Sequence, residues 1–303
     1  MQNGFEVLVG HGWLLLRERH HNPQMHYRHS YHAGNFADVF KHVVLCGLLA
    51  ALSRKDKPWC YVETHAGAGA YDLQGEGATR TGEWRDGIGR LHGLSGAPPL
   101  LQAYLDVVHG LNGTGALRHY PGSPLFAQAL ARERDRLVLC EKIPEIAAEL
   151  RANLRGERRA TIHHRDGHEA HALLPPAEKR GLVLVDPPFE RPDEFEAAGE
   201  LVEKSLGRFA GGIYAIWYPL KNRHAAGRFE RRVARACDEP ALRLAFETGA
   251  PGEGQMRACA VLVVNPPFGL EAEIAPAGKA LARLLARGPR PAFEARPLTG
   301  ASA

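Results

Sequence analysis

Short runs of apolar residues alternate with amphipathic stretches along most of this chain. Seven runs are rich in β-branched and aromatic residues, which is typical of buried strands, and they cover residues 59–63, 137–141, 160–163, 182–186, 212–218, 242–246 and 260–265. The stretches between them predict helices at residues 37–52, 123–131, 145–154, 192–206 and 223–236. This alternation predicts an α/β fold, in which helices cover both faces of a mostly parallel, seven-stranded sheet.

The spacing of these elements predicts one large domain with an insertion. About 70 residues separate the first strand from the second, which is more than a simple crossover needs. Residues from about 71 to 120 mix glycine-rich turns with a helical run, so we expect a small helical subdomain there. The strong pattern begins at Met25, which predicts a flexible extension over residues 1–24, a domain over 25–285 and a loose, proline-containing tail over 286–303.

Composition narrows the class of protein. Hydrophobic residues make up 45% and charged residues 24% of the 303 positions, as in soluble globular proteins. No apolar run in the sequence predicts a transmembrane helix. The net charge of +4 and the pI near 8.8 are compatible with a nucleic-acid partner without requiring one. The five cysteines have no metal-site spacing, which predicts reduced thiols in a cytoplasmic protein.

The fourth predicted strand ends in Asp186-Pro187-Pro188-Phe189, and the residue types in this turn serve one kind of chemistry. The lone pair of an exocyclic amine on a nucleobase is delocalised into the ring, so an enzyme that methylates it must hold both N–H bonds. A carboxylate accepts one N–H, the carbonyl of Pro187 accepts the other, and the aromatic ring stacks on the base. The turn resembles the signature of amino-methyltransferases that act on adenine N6, cytosine N4 or a glutamine amide.

Two observations leave other interpretations of this turn open. An apolar strand that ends in a proline-rich turn with a solvated aspartate is the structural alternative. A second copy of the pattern, Asn265-Pro266-Pro267-Phe268, follows the last predicted strand. At most one copy is expected to be catalytic, and the late position of the second copy favours Asp186, Pro187 and Phe189.

Polar residues also follow the first three predicted strands. The first strand runs into Glu63-Thr64-His65-Ala66-Gly67-Ala68-Gly69, where a G-x-G turn that includes Gly67 lets backbone approach a nucleotide-like ligand. Glu141 ends the second strand, where an acid binds ribose hydroxyls or caps a helix. Asp166-Gly167 follows the third, where the aspartate accepts from an adenine amine or closes a turn. The sequence contains no Walker-type phosphate loop, so the pattern favours S-adenosylmethionine over a dinucleotide.

The longer motifs resemble one protein family. They lie at residues 27–39 with Lys41-His42, and at residues 56–58, 64–69, 120–124, 186–189, 217–219 and 265–267. Over residues 25–270 they are similar to the bacterial 23S ribosomal RNA adenine-N6 methyltransferase J family. The resemblance implies a Rossmann-like class I methyltransferase fold with a helical insertion. It also implies that Asp186 is catalytic, that Tyr27 contacts the RNA, and that S-adenosylmethionine is bound by His42, His65, Ser123, Glu141, Asp166 and Gly167. We expect Asp186 to contact the cofactor as well.

These observations predict methylation of an adenine N6 in 23S ribosomal RNA, either naked or in an early assembly intermediate. The alternatives are a DNA adenine-N6 methyltransferase and a non-catalytic ribosome-assembly factor. The histidines near the start of the chain are not expected to bind metal, because no acid or cysteine there completes a set of ligands. We expect a cytoplasmic monomer without a membrane partner, and we expect Phe189 to stack on the base where some relatives have tyrosine.

Overall fold

The computed structural model describes residues 29–113, 115–251 and 256–298. The predictions for residues 1–24 and for Tyr27 lie outside these ranges. Within them, the strands are β1 (Cys60–Glu63), β2 (Ala70–Asp72), β3 (His119–Pro121), β4 (Arg136–Glu141), β5 (Ala160–His164), β6 (Gly181–Val185), β7 (Ile213–Pro219), β8 (Ala241–Glu247), β9 (Ala258–Val264) and β10 (Ala292–Leu298).

Helices connect most of these strands. The described α-helices are α1 (Phe36–Ser53), α2 (Glu76–Thr81), α3 (Pro99–Asn112), α4 (Ser123–Leu130), α5 (Pro144–Asn153), α6 (Glu194–Arg208), α7 (Arg223–Arg235) and α8 (Leu270–Leu284). Short 3-10 segments cover His29–Tyr31, Glu83–Asp86, Ile88–Arg90 and Gly167–Leu173. The stretch from 71 to 120 contains α2, two of the 3-10 segments and α3, and the antiparallel pair β2–β3 joins its two ends.

The large sheet has the strand order β10-β8-β9-β7-β6-β1-β4-β5. The strands from β7 to β5 are all parallel. Side chains along β4 and β6 point alternately to the two faces and divide between two hydrophobic clusters. Helices α1, α3, α4 and α8 bury their apolar faces in one cluster, and α6 and α7 do so in the other. The protein therefore has the Rossmann-like, doubly covered α/β fold that the sequence predicts.

The direction of the strands places the polar strand ends. Because β1, β4, β5 and β6 run parallel, their carboxyl ends meet at one edge of the sheet. Strand β9 runs antiparallel to both β7 and β8, so its carboxyl end lies at the opposite edge. The two proline-rich turns are thus separated by the height of the sheet.

The sheet has eight strands and not seven, and the additional strand lies within the expected loose tail. Residues 292–298 form β10, which pairs antiparallel with β8. The ring of Phe293 packs on Gly278 of α8, where an added Cβ would lie 2.5 Å from the ring. The sequence pattern misses β10 because its side chains are mostly exposed or half-buried, and Pro297 is tolerated only because the strand is at an edge. Helix α8, which contains Pro276, was not predicted either.

Helix α1 is predominantly apolar and is buried over nearly its whole length. By length and composition alone its 18 residues are able to cross a membrane, contrary to the expectation from the sequence, but 83% of it is buried inside the protein. Asp38, Lys41 and His42 are buried within this helix. Buried charges require partners, and these partners lie at the sheet edge where the parallel strands end.

Candidate active site

A cavity of about 1110 Å³ opens at the carboxyl ends of the parallel strands. Its volume suffices for a nucleotide-sized ligand together with part of a second one. The predicted site residues that line it are His42, His65, Gly67, Ser123, Glu141, Asp166, Asp186, Pro187 and Phe189. Gly167 is buried beside the wall, and its backbone packs so closely on Thr64 that a Cβ would lie 2.1 Å from the Thr64 carbonyl oxygen.

Asp186 forms a buried ion pair with Lys41 of α1. The Lys41 Nζ donates to Asp186 Oδ2 at 2.6 Å and to Asp38 Oδ1 at 2.9 Å. Burial lowers the pKa of Lys41, but the charges of the two aspartates outweigh it and hold that pKa well above its usual value. Burial likewise raises the pKa of Asp38, and His29 and Lys41 outweigh it, so that pKa is well below its usual range. Lys41 and Asp38 are therefore held in their charged forms beside Asp186.

The turn that follows Asp186 presents an aromatic ring to the cavity. Phe189 has a φ of +50°, in the left-handed region that residues other than glycine rarely adopt. Its ring packs against Phe195 and Trp217, with centroid distances of 4.8 and 5.9 Å. Strained backbone of this kind persists only where its surroundings impose it. The packing against Phe195 and Trp217 holds the Phe189 ring on the cavity wall, beside Asp186 and Pro187.

Glu141 connects two loops of the cavity. Its Oε2 accepts from the Gly67 N–H at 3.0 Å, and its Oε1 accepts from the Ile143 N–H at 2.8 Å. Burial raises the pKa of this carboxyl. Gly67 has a φ of +64°, and an added Cβ would lie 2.4 Å from the Tyr71 hydroxyl oxygen. Each carboxylate oxygen of Glu141 retains a further lone pair for a ligand hydroxyl.

Asp166 lies at the end of β5 within a second charged cluster. Its Oδ2 accepts from Lys142 Nζ at 2.7 Å, and its Oδ1 accepts from the His168 N–H at 3.1 Å. Burial raises the pKa of Asp166, but Lys142 and His168 outweigh it, so the pKa is below its usual range. His168 Nε2 lies 3.0 Å from Oε1 of the buried Glu194, which raises the pKa of His168. His65, Asp166 and His168 have potential metal-ligand atoms that lie within 4.8 Å of one another. Asp166, however, is already paired with Lys142 and His168.

Two histidines of the wall are held neutral. Burial lowers the pKa of His42 well below its usual value and lowers that of His65 to about 3. His42 Nδ1 lies 2.9 Å from the Tyr120 hydroxyl oxygen, while its buried Nε2 has no partner among the residues that the structure describes. His65 Nδ1 lies 2.7 Å from the Thr64 hydroxyl oxygen. Both rings are therefore available as neutral hydrogen-bonding groups.

Ser123 and Glu63 form a pair beneath the cavity. The Ser123 hydroxyl donates to Glu63 Oε1, and the Glu63 side chain is fully buried. Burial raises the pKa of Glu63 to about 8. Glu63, the acid that ends β1, is absent from the described cavity lining and instead fixes Ser123 on its wall.

The donor set fits S-adenosylmethionine. Glu141 and Asp166 offer acceptors for ribose hydroxyls and an adenine amine, and Gly67 allows backbone to approach a ligand closely. The unpartnered Nε2 of His42 is a buried polar group that a ligand would satisfy. The groups that this part of the cavity offers to such a cofactor are those of His42, His65, Gly67, Ser123, Glu141 and Asp166.

Several charged residues of the site were missed at the sequence level. These are Lys41 and Asp38, together with His29, His32, Glu83, Lys142, His168 and Lys221. A usable signal existed for the first two, because a lysine and an aspartate one turn apart inside an apolar helix are expected to be buried and paired. Tyr27, the predicted RNA contact, lies outside the described residues.

The second proline-rich turn lies away from this cavity. The Asn265 side-chain amide donates to the carbonyl oxygens of Ala210 and Gly212, each at 2.7 Å, at the opposite edge of the sheet. Phe268 is 98% exposed. In the first turn the residue with positive φ is the phenylalanine, whereas in the second it is the asparagine. The two copies therefore differ in backbone shape as well as in position.

Comparison with known proteins identifies close relatives. The sequence model of the family described as "Ribosomal RNA large subunit methyltransferase D, RlmJ" matches residues 56–291. A protein of Escherichia coli (strain K12) named "Ribosomal RNA large subunit methyltransferase J" is 41% identical over 250 residues, which cover 82% of this chain and 89% of that protein. The protein of the same name from Haemophilus influenzae is 38% identical over 251 residues, with the same coverage.

A solved structure shares the fold. The crystal structure of protein LPL1258 from Legionella pneumophila str. Philadelphia 1 superposes with a TM-score of 0.81 at 34% sequence identity. The match covers 88% of this chain and 98% of that one.

Proposed function

This chain belongs to the RlmJ family of ribosomal RNA large subunit methyltransferases, and we propose that it methylates the exocyclic N6 of one adenine in 23S ribosomal RNA. The observation that carries this proposal is the position of Asp186. Its carboxylate faces the same cavity as Glu141 and Asp166, so a cofactor and a target base would meet there. When bound, S-adenosylmethionine supplies an electrophilic methyl group.

The chain's own groups would orient the target amine. Asp186 would accept one N–H of the amine and the Pro187 carbonyl the other, which turns the lone pair toward the incoming methyl. Phe189 would stack on the base, whose removal from its neighbours costs a few kcal/mol. Asp186 need not be a strong base, because the amine becomes acidic as the new bond forms and loses its proton late. Most of the rate enhancement would come from positioning.

The proposed chemistry also requires Lys41, a residue that the sequence of the turn does not identify. Because Lys41 Nζ holds Asp186 Oδ2, the carboxylate has a fixed direction and only part of its accepting capacity remains for the base. We propose that Lys41 is a positioning residue that keeps Asp186 aimed into the cavity.

The test is transfer of a labelled methyl group from S-adenosylmethionine to three samples: protein-free 23S RNA, DNA, and no substrate. Nucleoside digestion should then yield N6-methyladenosine from the RNA alone. Equal methylation of DNA would favour a DNA enzyme. No transfer to either nucleic acid, with cofactor still bound, would favour an assembly factor or another acceptor such as a protein amide.

The proposal also covers the form of the RNA substrate and the oligomeric state and location of the protein. We propose that the substrate is naked 23S RNA or an early assembly intermediate, and that the enzyme acts as a monomer in the cytoplasm, where ribosomes are made. Light scattering of the purified protein checks the monomer. Comparison of methyl transfer to free RNA and to assembled large subunits checks the form of the substrate.

A further inference from the structure

Helix α7 carries a row of arginines that the proposed chemistry does not use. One face of α7 is buried against the sheet through Ala226, Phe229 and Val233. On the opposite face Arg228, Arg231 and Arg235 are exposed to solvent. At about 100° per residue these three side chains fall within a sector of roughly 60°. They form a straight stripe, which we call the α7 stripe.

The α7 stripe differs from the other arginines of the same helix. Arg223 is paired with Glu247, and Arg232 makes a bidentate pair with Glu203. In contrast, none of the three stripe residues has a carboxylate partner among the residues that the structure describes. Neighbouring cations three and four residues apart on a helix repel each other, while the helix dipole favours Arg235 in the last turn. Neither the dipole nor an ion pair within the described residues accounts for Arg228 and Arg231.

The helix that carries the α7 stripe begins close to the cavity. Strand β7 ends at Pro219 on the cavity wall, and α7 begins four residues later. Between them Lys221 is exposed and lines the cavity. Because β7 and β8 both run antiparallel to β9, α7 crosses from the cavity edge of the sheet to the opposite edge over about 20 Å. The α7 stripe therefore begins near the cavity edge with Arg228 and extends away from it to Arg235.

We propose that the α7 stripe binds the phosphate backbone of the substrate RNA next to the target adenine. This inference rests on the proposed function. Arginine guanidinium groups bind phosphate through paired N–H donors and remain charged at every physiological pH. The aromatic ring of Phe229 in α7 is buried, so the exposed stripe offers charge without a stacking surface. Contacts of this kind fix the position of the RNA and raise its affinity without reading its sequence.

The test compares two double variants that each remove two positive charges. Arg228→Gln with Arg231→Gln alters the α7 stripe. Lys279→Gln with Arg283→Gln alters two exposed cations of α8, on the opposite face of the sheet. RNA binding is measured at several salt concentrations with protein-free 23S transcript, and methyl transfer is measured against RNA concentration. Calorimetry with S-adenosylmethionine and thermal unfolding verify that each variant is folded.

We expect the α7 variant to lower the slope of log affinity against log salt by about one to two, because each phosphate contact contributes roughly 0.7–0.9. The KM for RNA should rise about tenfold while kcat at saturating RNA and cofactor affinity stay unchanged. The α8 variant should behave like the natural protein.

Other outcomes overturn the inference in distinguishable ways. If the natural protein methylates neither the transcript nor an early assembly intermediate, the proposed function itself fails. If it does, and the α7 variant matches it in salt slope and KM, only the assignment of the α7 stripe fails. An equal loss of RNA affinity in the α8 variant would show that the effect depends on the net charge of the protein and not on the position of the arginines. A defect seen only with assembled particles would assign the α7 stripe to an acidic protein surface.

Discussion

Lys41 Nζ lies 2.6 Å from Asp186 Oδ2, although the two residues are 145 positions apart in the chain. The lysine side chain is 5% exposed and the aspartate 14%. The pair joins the most apolar helix of the protein to the turn that carries the proposed chemistry. Asp38 lies on the other side of the same ammonium group, so Lys41 bridges two carboxylates, and Asp38 also accepts from the Gly34 N–H and contacts His29.

Replacing Lys41 by methionine should slow methyl transfer by roughly 100-fold or more, because Asp186 loses the group that fixes its direction. It should also lower the free energy of unfolding by about 3 kcal/mol, since the substitution breaks a buried ion pair and leaves Asp38 with only His29 and the Gly34 N–H as partners. Single-turnover rates at saturating cofactor and RNA, with urea unfolding alongside, measure both effects.

A double-mutant cycle separates positioning by Lys41 from general loss of structure. If Lys41 acts through Asp186, the loss of rate in Lys41→Met with Asp186→Asn should be smaller than the sum of the two single losses. Lys279→Met, at an exposed position of α8, serves as the control and should leave the rate unchanged. Full activity of Lys41→Met would remove the lysine from the mechanism.

The two proline-rich turns should respond differently to the same substitution. Asp186→Ala should abolish turnover while S-adenosylmethionine still binds. Asn265→Ala should cost about 1–2 kcal/mol of stability through two lost hydrogen bonds, with methyl transfer unchanged. Calorimetry, unfolding and activity of both variants provide the comparison. Loss of catalysis in a folded Asn265→Ala protein would mean that the second turn takes part in the reaction.

Gly67→Ala should weaken cofactor binding by tenfold or more. The new Cβ would lie 2.4 Å from the Tyr71 hydroxyl oxygen, so either the turn that donates to Glu141 or the buried Tyr71 side chain must shift. Gly93→Ala is the matched control, because Gly93 also has positive φ but no atom within 4 Å of the added Cβ. Both variants should lose about 1 kcal/mol of stability to backbone strain. Calorimetric titration with S-adenosylmethionine should detect a defect only in Gly67→Ala, and equal affinities would remove the turn from the binding site.

Glu63 should make the protein less stable as the pH rises. Its pKa is about 8 in the folded protein, compared with 4.5 for an unperturbed glutamate. Between these values the unfolded chain has released a proton that the folded protein keeps, so the free energy of unfolding falls by up to about 1.4 kcal/mol per pH unit. Glu63→Gln keeps an acceptor for Ser123 and removes this contribution. Urea unfolding of both proteins from pH 5 to 8 should show that the stability of the natural protein, relative to the variant, decreases with pH; a constant difference would contradict the buried, protonated Glu63.

Much of the site could be predicted from the sequence, because a short stretch of residues is enough to show where a strand ends. An apolar run predicts a strand, and the residue that follows it lies at the carboxyl edge if the strand is parallel. Glu141, Asp166 and Asp186 were found in this way, and all three line one cavity. The same logic is insufficient for Glu63, because the pattern does not say whether a side chain at a strand end faces the cavity or the core beneath it.

The sequence by itself determined the α/β class, seven of the strands, the carboxylates at their ends and the family to which the chain belongs. Only the tertiary structure decided three other matters. It reversed β9, which carries Asn265 to the far edge; it paired β10 with β8; and it brought Lys41 to Asp186. Strand direction, edge pairing and ion pairs depend on contacts between distant segments. Local periodicity reports which face of an element is buried but not what covers that face.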